Sequence, residues 1–264
     1  MSSFYIFEGG LYHPQAPATA PWTRRHQNGV SISGLLAREI ERVPAAGQFQ
    51  LVRLTVEMQR GVPLAPSSVR TTVVRDGKRI QLVEAELLVD GEAYASALGL
   101  RTLTGESPYE APQASGLPLP DDAPRDAPVT RVLGEGHPMQ TRIVRGARRE
   151  LGPAAYWTLF NADLVAGEQA SPTVRAVMSC DIASTVSDVV GSEWECPNVD
   201  LSIYLARPAQ GDWFLTDAQT EQFGTGYGIV SSTLSDTVGP IGYAHQTLLY
   251  THAEDVGNRT AWRR

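Results

Sequence analysis

Three polar residues in the second half of the chain carry the chemistry that the sequence offers. Asp181 stands in an apolar helical segment, Asn198 just before a strand segment, and Gln246 in the last long strand segment. A carboxylate can take a proton from a water molecule, and carboxamides can hold that water in place. Polar groups buried without partners cost about 1–3 kcal/mol each, so we expect these three to share partners or a bound water.

Two blocks of similar size must position this trio, and a proline-rich segment separates them. Six prolines fall between residues 104 and 128, where no apolar period is visible, and this composition predicts an extended linker. The sequence therefore predicts an N-terminal repeat over residues 1–103, a Pro-rich linker and Arg-rich connector over 104–150, and a C-terminal repeat over 151–264 that holds the trio.

Each block begins with one helical pattern and continues with several strands. Apolar residues at helical spacing predict helices over Val30–Ile40 and Thr173–Val190. Asp-Gly dipeptides at positions 76 and 90 predict tight turns between strands. The predicted strands are Leu51–Met58, Val69–Arg75, Arg79–Val89 and Ala93–Leu103 in the first block, and Val199–Leu205, Trp213–Gln222, Gly226–Asp236 and Tyr243–Thr251 in the second.

The two blocks superimpose as copies of one unit. Leu54–Arg60 lies over Leu201–Arg207 at an offset of 147 residues, and Gly91 lies over Gly239 at an offset of 148. The shared order of elements supports an internal repeat. The first block carries glycine or leucine where the second carries the trio, so we expect the second block to hold the working site. Those positions of the first block are Gly34, Leu51 and Leu98.

This pattern predicts an α+β fold of two repeats, each with a central helix packed on a curved antiparallel sheet. Tight turns join antiparallel strands, which argues against a parallel βαβ arrangement. Two such units can join sheet edge to sheet edge. A split β-sandwich is the alternative, but it would leave two central helices without a place.

Composition and charge exclude several classes of protein. The net charge of -7 and the pI of about 5.3 argue against a nucleic-acid partner. No run of about 18 apolar residues is present, so we expect no membrane insertion. The segment Met1–Gly10 lacks the pattern of a signal peptide, and the two cysteines form no disulfide framework. A cytoplasmic protein is the expectation.

Other site chemistries lack their motifs. The sequence has no Gly-x-Ser-x-Gly elbow of a serine hydrolase. The glycine-rich run Gly224–Gly228 precedes a strand, so it predicts a turn and not a phosphate loop. His26, His245 and His252 show no metal-ligand spacing. We therefore expect neither a metal nor another cofactor.

Four segments resemble one known family. Arg53–Pro63 and Arg75–Ile80 resemble the N-terminal hotdog domain of acyl-CoA thioesterase II-like proteins, and Asn198–Pro208 and Gly242–Gln246 resemble the C-terminal one. The resemblance covers nearly the whole chain outside the linker. It implies a double hotdog fold and an enzyme that hydrolyses acyl-CoA to free acid and CoA.

The resemblance also assigns roles to the trio. The family's catalytic set is an Asp on the second hotdog helix, a Thr or Ser before the next strand, and a Gln on the final strand. Asp181 and Gln246 match this set, whereas Asn198 stands where the hydroxyl residue is expected. Backbone N–H groups at the start of the first helix, at Gly29, are a candidate binding site for the substrate carbonyl. An ordinary helix cap at Asn28 is the alternative.

Some questions stay open at this point. A non-catalytic acyl-CoA or lipid-binding hotdog protein is the main alternative, because Asn198 departs from the family set. A hotdog lyase is disfavoured, since no His follows Asp181 on its helix. Exposed sheet edges allow a homo-oligomer. An arginine cluster fits either CoA phosphates or a solvated charge run. Its members are Arg142, Arg145, Arg148 and Arg149.

Overall fold

An antiparallel sheet of ten strands wraps around two buried helices in the computed structural model of the chain. The structure describes residues 2–21, 23–106, 108, 116, 118–124, 138–146, 151–191 and 193–252. The helices of these residues are α1 (Gly29–Arg42), α2 (Pro172–Cys180) and the single turn α3 (Ala183–Val186), with a 3-10 turn at Ala16–Ala18.

The strands account for most of the remaining described residues. In chain order they are β1 (Ser3–Glu8), β2 (Leu11–Pro14), β3 (Phe49–Glu57), β4 (Ser68–Asp76), β5 (Ile80–Val89), β6 (Glu92–Leu103), β7 (Met139–Arg145), β8 (Ala154–Phe160), β9 (Asp163–Val165), β10 (Trp194–Glu195), β11 (Asp200–Leu205), β12 (Phe214–Gln222), β13 (Tyr227–Asp236), β14 (Gly239–Leu249) and β15 (Thr251–His252).

The large sheet confirms the predicted double repeat. Its strand order is β4-β5-β6-β3-β11-β14-β13-β12-β8-β7, so the order β4-β5-β6-β3 of the first half returns reversed as β11-β14-β13-β12 in the second. The halves join where β3 pairs antiparallel with β11, with Thr55 opposite Ser202. Those two residues are 147 positions apart (202 − 55), which is the offset found in the sequence. A pseudo-two-fold axis therefore passes between them.

Alternating burial along the strands shows which side chains of the sheet face the helices. On β5 every second residue is buried against the helices, and the residues between them are more exposed on the outer face. A slip of one residue would turn this apolar set to solvent, so the pattern fixes the register. The buried set is Gln81, Val83, Ala85, Leu87 and Val89.

Helix α1 is enclosed by protein on nearly all sides. Its residues from Gly29 to Arg38 are all buried, which is typical of a central helix. Asn28 caps its N-terminus, because the side-chain oxygen accepts the backbone N–H of Ser31 at 2.9 Å. The helix ends before Pro44, since the residue that precedes a proline avoids helical geometry.

The second central helix is shorter than the sequence predicts. The apolar spacing predicts a helix over Thr173–Val190, but α2 ends at Cys180 and only a single turn, α3, follows. Short side chains compete for backbone carbonyls here, because Ser179 Oγ and Cys180 Sγ both donate to the carbonyl of Ala176. The prediction was wrong beyond Cys180, and the break lies at Asp181.

Part of the range predicted as a connector packs against the second repeat. Strand β7 pairs with β8 at the end of the large sheet. Further back, Trp157 Nε1 donates to the carbonyl of Pro118 at 2.9 Å, and Ala123 packs against Trp157. The halves are also linked through β1, which pairs in parallel with β9. Within the described residues, no helix has the length and apolar character needed to cross a membrane.

Candidate active site

The three residues that the sequence singles out lie together at the break between α2 and α3. Asn198 Nδ2 donates to Asp181 Oδ1 at 2.8 Å. Gln246 Nε2 donates to the backbone carbonyl of Asp181 at 3.2 Å. Asp181, Asn198 and Gln246 are only 7%, 9% and 2% exposed. Two carboxamides from two separate segments thus hold one buried carboxylate and its peptide group.

The N-terminus of α1 forms the opposite side of this site. A Cβ added at Gly29 would lie 2.7 Å from Asp181 Cγ, so only glycine lets the carboxylate approach the helix this closely. The backbone N–H of Val30 donates to the Asp181 carboxylate. A negative charge is favoured at a helix N-terminus by the free N–H groups and the helix dipole. The carboxylate therefore interacts with the N-terminus of α1 as well as with the segment that carries it.

One N–H group at this helix start remains available. Asn28 Oδ1 accepts the N–H of Ser31, and the Asn28 carbonyl accepts that of Ile32 at 3.2 Å. Val30 is engaged by Asp181. No acceptor for the Gly29 N–H occurs among the residues that the structure describes. Gly29 thus offers a free donor beside the carboxylate, and Asn28 is also the ordinary cap that the alternative foresaw.

Burial makes Asp181 a weaker acid than an ordinary aspartate. Burial raises its pKa to about 6, and the hydrogen bonds from Asn198 and from Val30 offset part of that effect. A carboxyl group with a pKa near the working pH can both accept and return a proton. The site therefore holds a group with the acid strength that general acid–base chemistry needs.

The same pKa shift predicts a pH-dependent gain in stability when the charge is removed. Above about pH 6 the folded protein buries a charge that the unfolded chain exposes, so the ionised Asp181 destabilises the fold by about 2–3 kcal/mol. We expect Asp181→Asn to raise the free energy of unfolding by about this amount at pH 8. Below about pH 3, which is under the ordinary pKa of 3.8, Asp181 is neutral in both the folded and the unfolded wild type, so the gain should vanish. Urea unfolding at both pH values measures it; a gain that is equal at both would contradict it.

Gln246 presents a second unused group. Because the Asp181 carbonyl can only accept, the amide nitrogen of Gln246 must face it, and Oε1 faces the other way. Oε1 is buried, and within the described part of the chain nothing donates to it. An unpartnered buried oxygen of this kind is costly. It is suited to accept a hydrogen bond from a water molecule or a ligand.

The strand register corrects one of the predicted equivalences between the repeats. Leu98 pairs with Thr55 and His245 pairs with Ser202, so Leu98 corresponds to His245, one position away from the predicted partner. The position that corresponds to Gln246 is Gly99. A Cβ at Gly99 would lie 2.6 Å from Ile40 Cγ2. In the first half, Ile40 of the continuous helix α1 occupies the space where a side chain at position 99 would lie. In the second half, the helix is broken after α2, and the side chain of Gln246 occupies the equivalent space.

The helix register corrects a second equivalence. The helix caps Asn28 and Ser171 are 143 positions apart (171 − 28), four fewer than the strands, because the loops that follow the helices differ in length. Asp181 then corresponds to Arg38 and not to Gly34. Leu51 remains the counterpart of Asn198. Leu51 pairs with Arg101, and Asn198 forms a bridge with Leu248. The two pairs are related by the same offset of 147 positions (198 − 51 and 248 − 101).

The first half therefore has a different polar cluster at the equivalent place. Arg38 is buried and donates through Nε to Glu168 at 3.0 Å and through Nη1 to Glu39 and to the Tyr12 hydroxyl. It borders a cavity of about 270 Å³ at the far end of the helix pair. An arginine that is already paired with carboxylates cannot act as a base. Asp181 therefore has no carboxylate counterpart at the equivalent position of the first half, where an arginine stands instead.

The arginine cluster of the connector is engaged in part. Arg142 donates to Asp121 at 3.2 Å and stacks on the Trp213 ring, and Arg145 forms an ion pair with Asp217. Arg148 and Arg149 lie outside the described residues. Arg145 is an exposed, paired charge, whereas the Arg142 side chain is only 13% exposed. Both guanidinium groups are already bound to carboxylates, which argues against a phosphate site at these two arginines.

Sequence reasoning missed one contributor to the site and one cavity elsewhere in the fold. The N–H of Val30 supports Asp181, but backbone donors leave no signal in residue type. The cavity beside Arg38 was also missed, although a buried Arg within the predicted helix Val30–Ile40 was a usable signal. Among the described residues, no three His, Cys, Asp or Glu side chains form a cluster that could hold a metal ion.

Comparison with solved structures agrees with this fold. The chain is similar to a conserved protein with a hot dog fold from Alicyclobacillus acidocaldarius (17% identity, 94% of this chain and 95% of that chain covered, TM-score 0.73). It is also similar to an acyl-CoA thioesterase II from Mycobacterium marinum (14% identity, 93% and 94% covered, TM-score 0.64). At these identities the likeness shows the double hotdog fold. No curated protein sequence matches the chain significantly.

Family models match both halves. The acyl-CoA thioesterase N-terminal domain matches residues 18–102, and the acyl-CoA thioesterase C-terminal domain matches residues 111–250. The gap between the two matches falls in the proline-rich segment. With both domain types present in family order on a double hotdog fold, the chain belongs to the acyl-CoA thioesterase family of enzymes.

Proposed function

We propose that the protein hydrolyses acyl-CoA thioesters to free acid and CoA with Asp181 as general base, Gln246 and Asn198 as orienting residues and Gly29 as a substrate-binding donor. One observation carries the proposal. The buried Asp181 carboxylate lies between a free helix N-terminal N–H and two carboxamides, one of which has an unused oxygen. This arrangement supplies a proton acceptor, a water site and an oxyanion donor in one place.

The steps follow from the chemistry of each group. Gln246 Oε1 accepts a hydrogen bond from the attacking water, and the ionised Asp181 takes the other proton. The water oxygen bonds to the thioester carbon, and the carbonyl electrons move to its oxygen. The Gly29 N–H stabilises that oxyanion. When the carbonyl re-forms, the C–S bond breaks and the CoA sulfur leaves with the proton held by Asp181.

Thiol release tests the proposed activity directly. Purified wild type is supplied with acetyl-, hexanoyl-, decanoyl- and palmitoyl-CoA, and the free thiol is followed with a thiol reagent. Turnover with at least one of these substrates is the expected result. Glu221→Gln, a change at an exposed residue of β12, serves as the control that should leave turnover unchanged.

A non-catalytic acyl-CoA or lipid-binding protein is the second candidate. Asn198 favours it, because an amide stands where the family resemblance implies a hydroxyl. Binding of a non-hydrolysable acyl-CoA thioether with no thiol release from any thioester would select this candidate.

Asn198 is proposed to act through Asp181. Its hydrogen bond lowers the pKa of Asp181, so Asn198→Ala should raise the apparent pKa of the rate profile above about 6. We expect kcat at pH 7 to fall by about tenfold, with recovery at higher pH. Asn198→Thr, whose hydroxyl can also donate, should recover part of the loss. A loss that does not depend on pH would indicate a structural role only.

Four further predictions stay part of this proposal. A homo-oligomer would be consistent with β4, whose residues from Arg70 to Asp76 are exposed at the edge of the large sheet. The other three come from the sequence. We expect a cytoplasmic location, a division into repeats at residues 103/104 and 150/151, and no cofactor.

A further inference from the structure

The two ends of the α1–α2 helix pair carry different features, the candidate active site at one end and a cavity at the other. Contacts of Gly29 with Asp181 and of Glu41 with Ser171 show that the helices run antiparallel. The candidate active site lies at the first end and the cavity of about 270 Å³ at the second. On α1 the cavity begins at Arg38, nine residues beyond Gly29, which is about 13 Å along the helix axis.

Met178 separates the two ends. It lies on α2 between Asp181 and the cavity, and it is 1% exposed. A Cβ at Gly34 of α1 would lie 2.6 Å from Met178 Cγ, so the thioether side chain rests in the notch that glycine leaves. The side chain of Leu164 reaches the same notch at 3.4 Å and also borders the cavity. Met178 and Leu164 thus form a plug in the middle of the interface between the helices.

The position of the plug sets a length. Gly34 is five residues from Gly29, about 7.5 Å along α1. An extended chain advances about 1.2 Å per bond, so this distance along the helix corresponds to about six bonds. Beyond the plug the cavity is apolar on one side only, at Leu164, Val165, Ala170 and Val174. Its other lining residues are charged or polar, namely Arg38, Glu41, Arg42, Glu168, Gln169 and Ser171. The residues of α1 and α2 between Asp181 and the cavity are buried and mostly apolar, so a hydrocarbon chain that extended from Asp181 along this interface would meet apolar side chains.

We propose that Met178 is the residue that determines acyl-chain length, so that wild type selects acyl groups of about six carbons and its removal connects the active site to the cavity. This inference rests on the proposed thioesterase function and names its substrate class. A hydrocarbon chain that extends beyond this distance must displace packed side chains, which lowers its rate. Methionine is flexible enough to fill the notch but leaves free space when truncated.

The test compares kcat/KM for a series from butanoyl- to palmitoyl-CoA in wild type, Met178→Ala and the volume-matched control Met178→Leu. Wild type and Met178→Leu should both lose at least about tenfold between hexanoyl- and decanoyl-CoA. Met178→Ala should recover at least about tenfold on decanoyl-CoA while hexanoyl-CoA changes little. If Met178→Ala does not fold, as judged by its thermal transition, Leu164→Ala opens the same plug from β9.

The outcomes separate this inference from the activity itself. Turnover of short chains with the same length profile in wild type and in the plug variants would overturn the role of Met178 and leave the thioesterase intact. Equal rates of wild type on hexanoyl- and palmitoyl-CoA would also overturn it. No thiol release at any chain length would overturn the proposed function and this inference with it.

Discussion

Asp181→Asn is expected to lower kcat/KM for acyl-CoA hydrolysis by about 10²–10⁴-fold, which is the usual contribution of a general base. Asparagine keeps the shape of the side chain. Its oxygen can accept the Val30 N–H, and its amide nitrogen can donate to Asn198 once the Asn198 carboxamide turns its own oxygen toward it, so the site should stay assembled. What is lost is the ability to take a proton from water. Thiol release under saturating and limiting substrate measures both kcat and kcat/KM.

The pH dependence of wild type tests the same role from another side. Because burial raises the pKa of Asp181 to about 6, the active ionised form should predominate above about pH 7. Below about pH 6 the rate should fall tenfold per pH unit as the carboxylate takes up a proton. The residual activity of Asp181→Asn should not show this fall in rate below about pH 6. Full activity in the variant, or a rate that rises as the pH falls below 6, would remove Asp181 from the mechanism.

Gly29→Ala is expected to lower kcat by at least about 10²-fold, with a smaller change in KM. The new methyl group would lie 2.7 Å from Asp181 Cγ and must push the carboxylate away from the helix. The displaced carboxylate would also disturb the free N–H that we assign to the oxyanion, a donor of a kind that contributes about 10²–10³-fold. The effect should therefore fall on the transition state more than on binding.

A matched glycine provides the control for this variant. Gly105 has an ordinary backbone angle and no atom within 4 Å of an added Cβ, so Gly105→Ala should leave kcat and the thermal transition unchanged. Displacement of a packed group in Gly29→Ala should destabilise the fold by about 1–3 kcal/mol, and assays are to be made well below the transition. If folded Gly29→Ala keeps the kcat of wild type, the close contact between the Asp181 carboxylate and the N-terminus of α1 does not contribute to catalysis.

Much of the fold could be predicted from local pattern. Asp-Gly turns and alternating strands specify antiparallel pairing, and the repeat offset of 147 residues is the one that Thr55 and Ser202 show in the sheet. These features depend on neighbours in sequence, so they can be read without coordinates. The trio was also predictable, because a carboxylate in an apolar helical segment must be buried with partners.

The errors arose where tertiary contacts override local preference. The end of α2 at Cys180 coincides with a hydrogen bond to the Asp181 carbonyl from Gln246, which lies 65 residues further along the chain. The counterparts Arg38 and Gly99 depend on where each helix is capped and how each strand pairs. Loop length can change without any mark in residue type, so a fixed offset cannot follow it.

Residue types thus specify which groups are available in this protein, whereas packing specifies what each group faces. Asp181 and Gln246 are visible in the sequence as polar residues among apolar ones. The contact of Asp181 with Gly29, its raised pKa, and the unpartnered oxygen of Gln246 come from elements far apart in the chain. Burial and close approach are properties of three-dimensional packing, because desolvation depends on every neighbour that excludes water.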